Sequence, residues 1–273
     1  MKKISSEIIV TTFNQSEYNL RDFMEREIKT CFKSYHKPLI TLIFESDEMQ
    51  KANNLNSFLS PKYSKEQYKI LINNSGRGFP SCLNFGILNS KSKYIFRLDT
   101  DDNSHKSRYD IQIEALEKSK AFICYSDIFE KETNKKINYP NTNLLFLFIL
   151  LGLNPIPHIS VCFNRNYILK NFGLYDEKLK RSEDFNLWIR ALIIKGKDVF
   201  IKVEKPLVYY STLPSLKKSR ESCYAQIGIR FNFLKSIKIY LIILLGILPN
   251  LIRYLFPKLS VKLKQNIQKF KIL

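Results

Sequence analysis

The sequence predicts an α/β fold, a mostly parallel central sheet flanked by helices, followed by a helical C-terminal segment of different character. Three observations lead there. Short β-rich runs alternate with amphipathic stretches through the first two-thirds of the chain, the pattern of successive β-α-β units. The composition, 45% hydrophobic and 13% aromatic over 273 residues, is that of a globular protein long enough for one sizeable domain and an appendage. The acids also stop abruptly. From Ser222 to Leu273 there is no Asp or Glu against nine Lys and Arg, so a fifth of the chain carries about half of the +19 net charge.

Taken in order, "EIIVTTF" (Glu7–Phe13) reads as the first strand. Leu20, Phe23, Met24, Glu27, Ile28, Cys31 and Phe32 then recur at helical spacing, with Asn19 as the cap. "LITLIF" (Leu39–Phe44) and "YKILIN" (Tyr68–Asn73) are the second and third strands. A short helix, "SCLNFGILNS", leads into the fourth strand, "YIFRLD"; a helix over about Arg108–Ser119 precedes the strand "AFICYSDIF". After Glu130 the pattern changes. "LLFLFILLGL" (Leu144–Leu153) has no charge but is too short to span a bilayer, which takes roughly 20 residues, so it reads as a buried or site-covering helix. "HISVCFN" (His158–Asn164) reads as a strand. "SEDFNLWIRALIIKG" (Ser182–Gly196) has a Ser N-cap, acids in its first turn and Gly after its last, the signature of a helix. "VFIKV" and "PLVYY" close the globular part near Tyr210.

Chemistry concentrates at the end of the fourth strand, where Asp99, Asp101 and Asp102 fall within four positions of a strongly basic chain. In parallel sheets ligands sit outside the carboxyl ends of the strands. Clustered carboxylates repel unless a cation neutralises them, and a hard divalent ion, Mg²⁺ or Mn²⁺, is the usual partner, completing its shell with water and phosphate oxygens. Alone, an Asp-x-Asp is also compatible with a solvated turn. Upstream lies "SGRGFPSCLNFGI", with Gly76 and Gly78 around Arg77, then Asn84 and Gly86. Downstream, Glu183 and Asp184 open a helix, where the dipole favours an ionised carboxylate that can act as a base.

The series "VTTFN", "GRGFPSCLNFGI", "YIFRLDTDD", "PIPHISVCFNR", "GLYDE", "SEDFNLWIRA" and "KPLVYY" resembles a family 2 glycosyltransferase of the GT-A fold, of the type that builds bacterial capsule, O-antigen or lipooligosaccharide chains. The resemblance covers roughly residues 4–211. It implies a catalytic domain over 1–211, with a nucleotide-sugar-binding half (1–102) and an acceptor-binding half (103–211), and a tail over 212–273. It further implies a nucleoside-diphosphate sugar donor, a UDP-sugar foremost, a divalent cation, and a hydroxyl of a lipid-linked or lipooligosaccharide glycan as acceptor. Thr12, Phe13 and Asn14 would line the nucleotide pocket with Arg77, Gly78, Asn84 and Thr100. Asp99 and Asp101 match the family's Asp-x-Asp, Asp101 being the direct metal ligand and Asp102 a support. Asp184 matches the catalytic base and Glu183 its acidic neighbour, with His158 and Trp188 on the acceptor side; a packed structural role is the other reading of His158. The family's acidic element followed by Gly and Ser after the second strand is missing. Here "FESDEMQ" offers Glu45 and Asp47 instead.

"SIKIYLIILLGILPNLIRYLFPKL" (Ser236–Leu259) is too apolar for a solvated helix, and its charge-free core is interrupted by Pro249 and Asn250. Lysines on both sides suit an interfacial segment on an anionic membrane, against a helix packed on the domain or a partner and a kinked span, and the expected location is the inner face of the bacterial cytoplasmic membrane. Five scattered cysteines without a C-x-x-C pair argue against a disulfide framework or zinc site, and no secretory signal is expected from "MKKISSEIIVTTF". Lys outnumbers Arg 33 to 11 and no aromatic–basic RNA motif occurs, so nucleic acid is not an expected partner. The rival to an enzyme is a membrane-surface binding protein on a degenerate glycosyltransferase fold.

Overall fold

The computed structural model describes residues 3–13, 15–150, 153–211 and 216–234, together with Ile247, Asn250, Leu251, Tyr254 and Leu255. Asn14 and most of the tail beyond 234, including the expected interfacial segment, lie outside the described residues. Among the described residues no helix is long and apolar enough to cross a membrane.

The first half is a repeated β-α unit: β1 (Ser6–Thr11), α1 (Glu17–Lys33), β2 (Leu39–Glu45), α2 (Met49–Leu59), β3 (Tyr68–Asn73), α3 (Phe79–Asn89) and β4 (Tyr94–Arg97). Its four strands pair in parallel in the order β3-β2-β1-β4. Then follow β5 (Asn103–Ser104), α4 (Arg108–Lys118), β6 (Ile123–Glu130), β7 (Lys135–Ile137), α5 (Leu145–Leu150), β8 (Cys162–Asn164), α6 (Arg165–Asn171), α7 (Glu183–Lys195), β9 (Phe200–Tyr210) and α8 (Leu216–Leu234). They extend the same sheet as β4-β8-β6-β9-β5, with β8 antiparallel to both neighbours, β6 and β9 parallel, and β7 pairing with β6. The mostly parallel sheet is thus a mixed one in its second half.

Alternation along the central strands sorts the apolar side chains into two cores. Ile8 and Val10 of β1, with Ile40, Leu42 and Phe44 of β2, face α1, α2 and α4. Ile9 and Ile43 point the other way, toward α3, α5 and α7, where Leu145, Phe185 and Trp188 are buried. Gly86 lets α3 lie close on this face: a Cβ there would sit 2.5 Å from Ile43 Cδ1 and 2.8 Å from Ile9 Cγ2.

Local details differ from expectation for identifiable reasons. The first helix is capped by Ser16, whose hydroxyl accepts the Asn19 backbone N–H at 3.2 Å; Asn19 is the capped residue and not the cap. His158–Ser160 is a tight 3-10 turn, so only Cys162–Asn164 of the expected strand pairs. Ser182 takes a left-handed conformation (φ 60°) with no side-chain cap bond to α7. "VFIKV" and "PLVYY" are one strand: Pro206 faces Asp127 at a bulge in the β6–β9 ladder, where a residue without an N–H is tolerated.

Candidate active site

The turn after β4 collects the three carboxylates. One ligand oxygen from each of Asp99, Asp101 and Asp102 lies within 4.8 Å of the others. Their environments differ. Asp101 is exposed, Asp99 is partly exposed and Asp102 is fully buried. Asp102 Oδ1 accepts the Ser211 N–H at 3.1 Å, whereas its Oδ2 is buried without a hydrogen-bond partner among the described residues. Burial, with Asp99 and Asp101 alongside, pushes the Asp102 carboxyl well above the usual carboxylate range; burial and Asp99 raise Asp101. An all-oxygen set with an orphaned buried carboxylate oxygen is matched by a hard divalent cation, which would satisfy Oδ2 and remove the repulsion. The residues present therefore fit the implied Mg²⁺ or Mn²⁺.

Beneath the cluster lies Arg97, a side chain only 2% exposed that sequence reading passed over. Its guanidinium pairs with Asp99 and with the Leu98 carbonyl, and lies 4.9 Å from the centre of the Phe79 ring. The signal was there: a lone Arg inside the apolar run "YIFRLD" has to find a carboxylate. Its own strand is braced by buried Arg108, which donates to the Arg97 carbonyl at 2.7 Å and the Ile159 carbonyl at 2.8 Å. One cation thus ties the end of β4 to the turn that carries His158.

Helix α7 supplies a second acidic pair. Asp184 Oδ1 accepts the Phe185 N–H at 2.7 Å, and Oδ2 accepts the Asn154 amide at 2.7 Å. Burial raises its carboxyl, while these two donors and Arg97 act to keep it ionised. Glu183 is buried beside it and pushed up to about 7, first by burial and then by the Asp184 charge. His158 Nδ1 is 3.8 Å from Glu183 Oε1, and its Nε2 shares a 2.9 Å hydrogen bond with the Tyr175 hydroxyl. Burial and Arg97 hold this imidazole well below its ordinary range, so it is neutral and the Glu183 contact is not an ion pair. Arg97 acts on both acidic groups, Asp101 and Asp102 after β4 and Glu183 and Asp184 on α7. Both acidic groups therefore lie within the field of one buried positive charge.

The remaining candidates fall into two sets. Thr12, at the end of β1, is buried; its hydroxyl donates to the Ile43 carbonyl at 3.2 Å and to Glu48 Oε2 at 3.1 Å. Phe13 beside it is 58% exposed. Glu45 Oε1 accepts the Gly78 N–H at 2.6 Å, holding Gly78 (φ 93°) at the start of α3. Asp47 and Arg77 form an exposed pair at 3.6 Å that carries little energy. Thr100 is buried in the turn between the acids. Glu48 was not among the candidates; it takes the position beside Thr12 because the chain turns into a 3-10 segment after β2.

Two further candidates, Asn84 and Trp188, are engaged within the fold. Asn84 is buried with its amide fully engaged: Nδ2 donates to the Tyr175 carbonyl and to Glu177 Oε1, and Oδ1 accepts the Tyr175 N–H. It is the clasp of the loop before α7. Trp188 is 0% exposed, edge-on to His158 and Phe200, and supports the histidine from the core.

Residues 7–177 match glycosyl transferase family 2. The chain belongs to that family. This glycosyltransferase is 25% identical over 230 residues to the bifunctional glycosyltransferase pgtA of Dictyostelium discoideum, a match covering 70% of the chain but 29% of that longer protein. It is 23% identical over 274 residues to an uncharacterized glycosyltransferase of Methanocaldococcus jannaschii, covering 90% of each. Among solved structures it is similar to S. aureus TarS in complex with UDP-GlcNAc, with TM-score 0.64, 12% identity, and 92% of this chain and 73% of that one covered. It is equally similar to a Pyrobaculum calidifontis mannosyltransferase in complex with GDP-Man and Mn²⁺, with TM-score 0.64, 10% identity, and 91% and 70% covered. The fold is GT-A, and the chain is a family 2 glycosyltransferase.

Two stability predictions follow from the charges. Glu183 carries a carboxyl raised from its ordinary 4.5 to about 7 in the folded state. The native state therefore holds more protons than the unfolded chain between these values, and stability is lost as pH rises through them. Thermal midpoints measured from pH 4.5 to 7.5 should fall, and Glu183→Gln should flatten that slope; an unchanged slope would remove Glu183 as its source. Arg97→Met removes the buried cation whose field reaches both acidic groups. A loss of about 2–3 kcal/mol is expected by denaturant unfolding at pH 8, below the full range for a broken buried pair because Asp99 is part-exposed. Much of it should return at pH 5, where the acids can protonate.

Proposed function

We propose that this glycosyltransferase is an inverting enzyme that transfers a sugar from a UDP-sugar to a hydroxyl of a lipid-linked or lipooligosaccharide glycan, with Asp184 as general base. The observation that carries this reading is a three-carboxylate cluster after β4 and a second acidic pair opening α7, both within the field of buried Arg97. Asp101, with Asp99 and Asp102 in support, would hold Mg²⁺ or Mn²⁺. Bound there, the ion supplies Lewis-acid stabilisation to the departing diphosphate. Asp184 accepts the proton of the acceptor hydroxyl as its oxygen bonds to the anomeric carbon. The bond from that carbon to the diphosphate oxygen breaks, and the electron pair leaves with the nucleotide. Acid groups on opposite sides of the sugar place entry and departure on opposite faces, which gives inversion.

The test is a thermal shift against UDP, GDP, ADP and CDP, each with and without Mn²⁺, followed by NMR of the product's anomeric configuration. UDP with Mn²⁺ should stabilise most, and the configuration should be the opposite of the donor's. A larger shift with another nucleotide reassigns the donor; retention of configuration would overturn the base role of Asp184.

The acid-free tail supports a location on the anionic inner face of the membrane. Tyr224, Leu251, Tyr254 and Leu255 are exposed apolar side chains in that part of the chain. The protein should co-sediment with phosphatidylglycerol vesicles and be released by salt, whereas equal binding to phosphatidylcholine would argue against an electrostatic attachment.

A further inference from the structure

We propose that Arg230, on α8, is a positioning residue for the base: it ties α5 to α7 and thereby fixes the Asn154–Asp184 pair. The inference rests on Asp184 being the base. Residue 211 was the expected end of the catalytic domain, yet α8 lies past it and packs into the same core, with Cys223 and Ile229 buried.

The contacts converge on the two sides of Asp184. Arg230 is 1% exposed, and its guanidinium lies 4.5 Å from the centre of the ring of Phe185, the residue after the base. Nη2 donates to the Ile149 carbonyl at 2.9 Å and Nη1 to the Gln226 carbonyl at 3.1 Å. Ile149 lies in the last turn of α5. The Leu153 N–H returns to the Phe148 carbonyl at 2.9 Å, and the next residue is Asn154, the donor to Asp184. On the other flank, Ser222 shares a 2.8 Å hydroxyl contact with Ser182, the left-handed residue immediately before Glu183. Arg181 pairs with Glu221 at 3.3 Å. Helix α8 therefore grips the residue before the acidic pair, the residue after it, and the segment that supplies its hydrogen-bond donor.

A buried guanidinium is an expensive way to fill a core, since an apolar side chain would pack there without desolvating a charge. Its fixed fork does what an apolar residue does not: it bonds the carbonyl of one element while stacking on a ring of another. Displacing a catalytic group by about 1 Å can cost 10²-fold in rate.

The test uses the full chain and steady-state transfer kinetics on Arg230→Met and Arg230→Lys. In the Met variant kcat should fall about 10–100-fold with donor KM and the Mn²⁺-dependent nucleotide thermal shift unchanged. Lys, which can still reach the Ile149 carbonyl, should recover part of kcat. If Met does not fold, Arg230→Lys and Ser222→Ala should each lower kcat at constant donor KM. A wild-type kcat in both, or a fall in kcat matched by loss of the nucleotide shift, would overturn the assignment. Failure of the base role itself would show separately, as an active Asp184→Asn.

Discussion

Asp184→Asn should lower transfer by about 10²–10⁴-fold, the usual contribution of a positioned general base, while donor binding survives. The structure makes the variant more than a charge deletion. Both carboxylate oxygens of Asp184 accept hydrogen bonds, one from the Phe185 backbone and one from the Asn154 amide. An asparagine can offer only one acceptor, so its NH₂ would face the Asn154 NH₂. That lost bond should cost about 1–3 kcal/mol and lower the thermal midpoint. The two effects separate in the assay: the nucleotide and Mn²⁺ thermal shift should match wild type in size even though the baseline is lower. Full transfer activity in this variant would remove Asp184 from the mechanism.

The second large effect is expected at the opposite end of the site. Asp101→Ala should abolish the Mn²⁺-dependent part of nucleotide binding and reduce transfer by roughly 10²–10³-fold, the scale of losing one preorganised stabiliser of developing charge. Because Asp101 is exposed, its loss should leave the metal-free protein about as stable as wild type. It should even relieve Asp102, whose carboxyl is raised in part by the Asp101 charge. A variant that is equally stable yet blind to Mn²⁺ would locate the effect at the ion. One that binds nucleotide with Mn²⁺ as tightly as wild type would show that Asp101 holds no metal. Since the ligands must be ionised, wild-type Mn²⁺ affinity should fall as pH drops.

Much of the first half was legible in the sequence because there each signal is local. β3 was read to the residue, and β2, β4 and α4 nearly so, since turn residues and apolar periodicity bound each of them. The acidic cluster was legible for the same reason: its three members are near neighbours in the chain. The turn at His158 was misread because His-Ile-Ser carries a strand-like pattern. What bends it is the Ser160 hydroxyl, which donates to the Pro157 carbonyl and also takes the Ser126 N–H from β6. Asn84 was misassigned because an amide in a Gly-rich stretch reads as a ligand donor; that Tyr175 and Glu177, some ninety residues on, already occupy it is a fact of the fold.

By itself, then, the sequence determined the β-α alternation, the carboxylates at the end of β4 and the acids opening α7. All are set by side-chain period, helix-end electrostatics or residues a few positions apart. Only the tertiary structure decided which of those groups share a field. The field of Arg97 reaches acidic groups more than eighty residues apart in the chain, and Arg230 reaches Ile149 across eighty-one positions. Charge–charge coupling depends on distance through the protein and on burial, and neither is written in the order of residues along the chain.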